Sequence, residues 1–213
     1  MSLWLAEGVH AVVIDGDAVF LDVGANAYFC LPDIAEHLAL EGRKVIASSA
    51  LADELIGAGF ASDQASALVD RQARAPRLSA RALLAASPNL AAPIEGRHWR
   101  ALVGAGLAAG AAMKRPFSEM LPPPHEPAPE PDQAMIADLA VFRRLWPWTP
   151  FDGLCLFRSD FLRRYLAWLG HRVDWVFGVR TYPFVAHCWL QAGGVTLEDE
   201  ADRLLAFHPI MVR

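Results

Sequence analysis

A cysteine, a histidine and a carboxylate can together perform nucleophilic acyl chemistry, and the C-terminal part of this 213-residue sequence holds all three types: Cys155, His187 and the acidic run Glu198, Asp199, Glu200. In such a set a thiolate attacks a carbonyl carbon and the imidazole moves the proton. A carboxylate beside the imidazole fixes its tautomer and stabilises its charged form. His187 lies in "FVAHCWLQAGGVTLEDE", Phe184 to Glu200, an apolar run followed by a glycine turn and three acids. On a strand, His187 shares a face with Val185 and Trp189, while Cys188 faces the other way with Ala186 and Leu190 and is excluded as its partner. If Ala192 to Gly194 form a three-residue hairpin loop, Gln191 pairs with Val195 and His187 stands across from Asp199. A two-residue loop moves the opposite position to Glu198 or Glu200. Of these three registers, only the first also keeps Val195 and Leu197 on the face of His187.

Cys155 is the remaining candidate nucleophile. It follows Asp152, a good N-cap, by three residues and so falls in the first turn of a helix, where unpaired N–H groups and the helix dipole favour a thiolate. Spacing alone favours a plainer account, with Cys155 a small buried residue and His187 a hydrogen-bonded core histidine.

The elements that must position these residues have clear signatures. "VHAVVID", "AVFLDV" and "AYFCL", separated by "DGD" and "GAN", predict a three-stranded meander. Pro32 to Gly42 predicts a first helix from its Pro at the start and Gly at the end. Ser49 and Ser62 are expected N-caps of two further helices, so the first 75 residues or so read as three strands and then three helices. Residues 75 to 95 read as a connection, and residues 101 to 113 as a buried helix too short to span a membrane. Pro116 to Asp132 is proline-rich and predicts a mobile extended loop. A helix over "DQAMIADLAVFRRLWPW" ends at Pro147. The strongest helix is "LCLFRSDFLRRYLAWLG", with Leu154, Phe157, Phe161, Leu162, Tyr165 and Leu169 at helical spacing and Gly170 at its end. "VDWVFGV" adds a strand.

Composition narrows the function classes. Hydrophobic residues make up 54% and charged residues 20% of the chain, which fits a packed globular protein and excludes a disordered one. A net charge of -5 argues against binding nucleic acid through bulk electrostatics. Cys30, Cys155 and Cys188 form no CxxC, and the N-terminus lacks a signal-peptide pattern, so a cytoplasmic protein with free thiols is expected. No HxxxH, HxH or CxxC suggests a metal site, and no cofactor is expected. "GAGLAAG" fails as a dinucleotide loop because no strand precedes it. Arg71, Arg74, Arg77 and Arg81 recur at helical steps and read as a solvated helix face. The tryptophans 146, 148, 168, 175 and 189 read as core.

From Gly153 to the C-terminus the sequence resembles the transglutaminase-like (papain-like) cysteine peptidase domain of lasso-peptide biosynthesis B proteins, through a CL-x-R-S helix, a GV strand, a PF-x-AH-x-W strand and a downstream Asp. The resemblance implies Cys155 as nucleophile, His187 as base and Asp199 as orienter. Cys188 stands where Ala is usual, and Leu190-Gln191 replaces the common Val-Glu. The first 75 residues resemble the PqqD-like winged helix-turn-helix that recognises leader peptides in the same family. There the leader adds as a strand beside the third helix, which implies Tyr28, Phe29, Cys30 and Leu31 as the leader-binding edge and a helix over roughly Asp63 to Gln72. The expected fold is α+β: residues 1–80 for leader recognition, 81–135 as a connecting helix and Pro-rich loop, and 136–213 as the peptidase core. The resemblance implies cleavage of a ribosomally made lasso precursor at the leader-core bond. The partners implied are the precursor peptide and an ATP-dependent, asparagine-synthetase-like lasso cyclase. Acyl transfer by the same triad, or a non-catalytic adaptor that presents the leader, are the alternatives.

Overall fold

A strand that sequence patterning missed, β1 (Ser2–Leu5), precedes the expected meander of β2 (Val9–Ile14), β3 (Asp17–Asp22) and β4 (Ala27–Leu31). The fold is seen in a computed structural model that describes residues 2–65, 70–86, 92–149 and 154–213. The meander is antiparallel in the order β2-β3-β4, so β4 is its edge strand.

No helix follows Pro32. The backbone N–H of Asp33 donates to Asp17 Oδ1 at 3.0 Å, and those of Ile34 and Ala35 donate to the Gly16 carbonyl at 2.9 Å, so the would-be first turn is tied to the β2–β3 corner. The chain then forms the hairpin β5 (Leu38–Glu41) and β6 (Lys44–Ala47), turning at Gly42 with φ 62°. The second expected helix is present as α1 (Ser49–Gly57), but its cap is Ser48, one residue before the serine expected, and Ser48 accepts from the Leu51 N–H. Ser62 caps no helix; it ends strand β7 (Ala61–Ser62), which completes a sheet ordered β5-β6-β1-β7. Of the third helix expected over Asp63 to Gln72, residues 63–65 and 70–72 are not helical and 66–69 lie outside the described residues. The N-terminal part is therefore richer in strand than three strands and three helices.

The second half follows the expected order of helices and then sheet. The 75–95 stretch holds β8 (Leu78–Ser79) and α2 (Ala80–Ala86). Then come α3 (Gly96–Ala112), α4 (Phe117–Met120), α5 (Gln133–Leu145), a 3-10 turn at Trp146–Trp148 and α6 (Cys155–Trp168). The chain ends with β9 (Asp174–Arg180), β10 (Val185–Ala192), β11 (Val195–Thr196), α7 (Ala201–Leu204) and β12 (His208–Val212). These strands and β8 make a sheet ordered β12-β9-β10-β11-β8.

Two expectations about loops change. The Pro-rich segment is pinned: Phe117 and Met120 are buried, Ala128 N–H donates to Asp174 Oδ1 at 3.0 Å, and Glu130 accepts from Arg77 at 2.7 Å and from Gly194 N–H at 3.1 Å. The arginines 71, 74 and 77 lie on a non-helical strap over 70–77. Arg71 pairs with the buried Asp174 at 2.7 Å and Arg74 with Glu130, while Arg81 on α2 pairs with Glu200. Trp175 and Trp189 are core, Trp146 packs on it, and Trp148 and Trp168 are exposed.

The cores explain how the halves meet. Along β3, Ala18 and Phe20 point into the N-terminal core with Leu3, Val45 and Leu55, while Val19 and Leu21 point into the main core with α3, α5, α6 and β9. One strand therefore serves both cores. This brings the end of the meander to the N-terminus of α6.

Candidate active site

Cys155 is the first residue of α6, after Leu154 in the cap position. Asp152, the expected cap, lies outside the described residues, and Leu154 is 84% exposed instead of joining the apolar stripe. The start of the helix is fixed from below by Ser159, one turn on. Its hydroxyl donates to the Cys155 carbonyl at 2.8 Å and accepts from the Trp175 indole N–H at 2.9 Å, and it lies 3.4 Å from Cys188 Sγ. That is the physical content of the serine in the CL-x-R-S motif, a signal legible only once β9 and β10 lie beneath the helix.

His187 sits on β10 opposite Gly178 of β9. A Cβ at Gly178 would come within 2.7 Å of the Trp189 ring, so glycine there lets Trp189 fill the space against the sheet. The His187 ring packs on Trp189 and on Phe207, at centroid distances of 6.1 and 5.5 Å. Its Nε2 lies 3.1 Å from Asp199 Oδ2, which leaves Nδ1 for the thiol.

The register that achieves this is not the three-residue loop. Gln191 pairs with Thr196 and Ala192 with Val195, so the loop is Gly193-Gly194, with φ 57° at Gly193. Val195 and Leu197 consequently lie in the main core with Cys188 and Leu190, away from His187. Continued, the ladder would set Glu200 across from His187. The chain leaves the ladder after Leu197, however, and the Thr196 hydroxyl donates to the Asp199 carbonyl at 2.6 Å, closing a turn that swings the Asp199 carboxylate back to the imidazole. Glu200 is instead held by the Ser79 hydroxyl at 2.9 Å and by Arg81. Glu198 lines a separate cavity of about 170 Å³ with Arg143, Arg158 and Trp146.

Electrostatics sort the groups. Hydrogen bonding from the Cys188 and His187 side chains, and from the Cys188 backbone N–H, pulls the Cys155 thiol down to about 4 against the opposing effect of burial. His187 is pushed up to about 9 by its hydrogen bond to Asp199 and then by Cys155. At neutral pH the pair is a thiolate and an imidazolium. Cys188, buried and facing that thiolate, is pushed far up and stays a thiol. Burial and the charge of Asp199 raise Glu198 to about 8, which keeps it protonated at neutral pH. Cys188, set aside in sequence because it faces away from His187, thus contacts the nucleophile itself from the other face of β10.

The four residues expected on the edge strand divide. Tyr28 faces Cys155 and shares with it, His187, Cys188, Phe117 and Phe177 a cavity of about 140 Å³; its ring lies 5.6 Å from Phe184. Phe29 points the other way, onto Phe60 at 5.0 Å, and Leu31 packs against the N-terminal core. Cys30 is exposed beside Asp17.

A profile of the transglutaminase-like superfamily matches residues 99–212, over half of the chain. The chain belongs to the transglutaminase-like superfamily. The match takes in most of α3, all of α5 and α6, and the strands β9 to β12, so the helix over 101–113 is part of the domain that carries Cys155 and His187. The superfamily includes cysteine peptidases and acyltransferases. No curated protein and no solved structure matches the chain. No helix among the described residues is long and apolar enough to cross a membrane.

Proposed function

We propose that the protein is a cytoplasmic cysteine peptidase that removes the leader from a ribosomally made lasso-peptide precursor. Cys155 is the nucleophile, His187 the acid-base and Asp199 the orienter. The observation that carries the reading is the chain of contacts from Asp199 through His187 to a thiol on the first residue of a helix. Cys155 Sγ attacks the carbonyl at the leader-core bond, and the α6 backbone N–H groups receive the oxyanion. The His187 imidazolium gives its proton to the departing core amine as the C–N bond breaks. The neutral imidazole then deprotonates a water, which hydrolyses the thioester and releases the leader as a carboxylic acid.

The N-terminal unit, PqqD-like in this reading, captures the leader by strand addition to the free edge of β4, through Tyr28, Phe29, Cys30 and Leu31. What supports this is that β4 is an edge strand of the meander among the described residues and that its Tyr28 lines a cavity with Cys155, so a peptide added there would lead towards the thiol. The freed amine passes to an ATP-dependent, asparagine-synthetase-like cyclase for ring closure.

Mass spectrometry of a leader-core precursor incubated with the protein tests the reading. Leader acid plus free core is the expected result. An amide-shifted mass would indicate acyl transfer, and an unchanged precursor would leave only an adaptor that presents the leader.

A further inference from the structure

The α6 N-terminus offers backbone donors beside Cys155, and two residues from outside the superfamily match, Asn26 and Tyr28, also line the cavity; of these Tyr28 faces the thiol. Three observations bear on what it does there. Its backbone is held by pairing with Leu21 on β3, and its ring by Phe184 beside β10, so the side chain is fixed between the two halves of the molecule. Its hydroxyl makes no hydrogen bond among the described residues and is not sealed from solvent, although the side chain is half-buried. A phenolic O–H that is open to the cavity and has no protein acceptor is free to donate to a group that enters it. Cys155 and His187 line the same cavity, so the acceptor that chemistry there would bring in is the carbonyl group that reacts with the thiol.

We infer that Tyr28 is a further catalytic residue, donating its phenolic hydrogen to the carbonyl oxygen of the group being transferred to Cys155 and completing the oxyanion site begun by the α6 N–H groups. This deepens the proposed function and rests on Cys155 being the nucleophile. Burial and the facing Cys188 and Cys155 push the phenol up to about 12, so the hydroxyl keeps its proton across the working range and remains a donor. As Sγ bonds to the carbonyl carbon, the π pair moves onto oxygen, and the hydrogen bond strengthens with that charge. When the pair returns, the bond to the leaving group breaks. No proton leaves Tyr28. The catalytic centre is then incomplete without the N-terminal meander.

The test uses the full chain and p-nitrophenyl acetate, whose carbonyl is attacked by the thiolate with release of p-nitrophenolate, alongside iodoacetamide, which needs the thiolate but develops no oxyanion. In Tyr28→Phe, acetylation of Cys155 is expected to slow about 100-fold, the scale of losing one oxyanion donor, while alkylation of Cys155 keeps the parental rate. Acetylation at the parental rate overturns the inference. So does an equal slowing of both reactions, which would mean that the change disturbs the thiolate. If acetylation of the parent protein does not depend on Cys155, the nucleophile assignment fails and takes the role of Tyr28 with it; a Cys155-dependent reaction indifferent to Tyr28 overturns this inference alone.

Discussion

His187 Nε2 lies 3.1 Å from Asp199 Oδ2 although the strand ladder, continued, would set Glu200 across from the histidine. The turn closed by Thr196 decides which of three neighbouring acids orients the imidazole. Asp199→Asn is expected to lower turnover by about 10²- to 10⁴-fold, because a neutral amide cannot stabilise the imidazolium and can hold the wrong tautomer. Glu198→Gln replaces a group already uncharged near neutrality and is expected to change turnover less than about threefold. Glu200→Gln weakens contacts to Ser79 and Arg81 and should act on stability alone, by about 1 kcal/mol. Steady-state kinetics of the three variants decide the matter; a crippled Glu200→Gln with an active Asp199→Asn would contradict the geometry.

The ion pair sets a pH window. The Cys155 thiol is lowered, so its thiolate appears as pH rises through about 4, while His187 is raised and its imidazolium disappears as pH rises through about 9. Turnover should therefore be flat between those limits, falling below the first as the nucleophile is protonated and above the second as the proton for the departing amine is lost. Burial and Asp17 raise the Cys30 thiol. At pH 6, peptide mapping after brief iodoacetamide treatment should find Cys155 modified and Cys30 and Cys188 intact.

Since β3 serves two cores, the halves should unfold together. Leu21→Ala, buried in the main core yet located in the N-terminal meander, is expected to cost about 3 kcal/mol. Urea denaturation should show one transition displaced as a whole, by circular dichroism and by tryptophan fluorescence alike. A separate early transition confined to the N-terminal strands would contradict the shared core.

Asp138 on α5 provides a control away from the site. Its buried carboxylate meets His98 at 3.0 Å, His171 at 2.8 Å and Arg97 at 2.8 Å, tying α5 to α3 and to the chain after α6. Asp138→Ala removes the acceptor of His98 and His171, while Arg97 keeps Glu95, and is expected to destabilise by about 3 kcal/mol. Alkylation of the residual folded protein at Cys155 should proceed at the parental rate.

What could be read from sequence was whatever short-range chemistry dictates. The meander followed from alternation and the Asp15-Gly16 and Gly24-Ala25-Asn26 breaks, and α6 from its apolar stripe and Gly170. Pro32 to Gly42 misled because the Pro and Gly that bracket a helix also bracket a turn and a hairpin, and the choice was made by bonds to Asp17 and Gly16, distant in sequence. Asp199 was reached through the wrong loop length: the resemblance to a family pointed to the residue, whereas the Thr196 turn that delivers it depends on where the ladder stops. Ser159 beneath Cys155, the thiol of Cys188 and the approach of Tyr28 are all contacts between elements, with no local pattern to announce them.

The central claim is that Cys155 attacks the leader-core bond. Its most direct test is product formation from a leader-core precursor by the parent protein and by Cys155→Ala, read by mass spectrometry, with leader binding followed by fluorescence anisotropy. Free leader and core from the parent, none from the variant, and equal leader affinity in both are the results expected. Cleavage by Cys155→Ala at the parental rate would contradict the account.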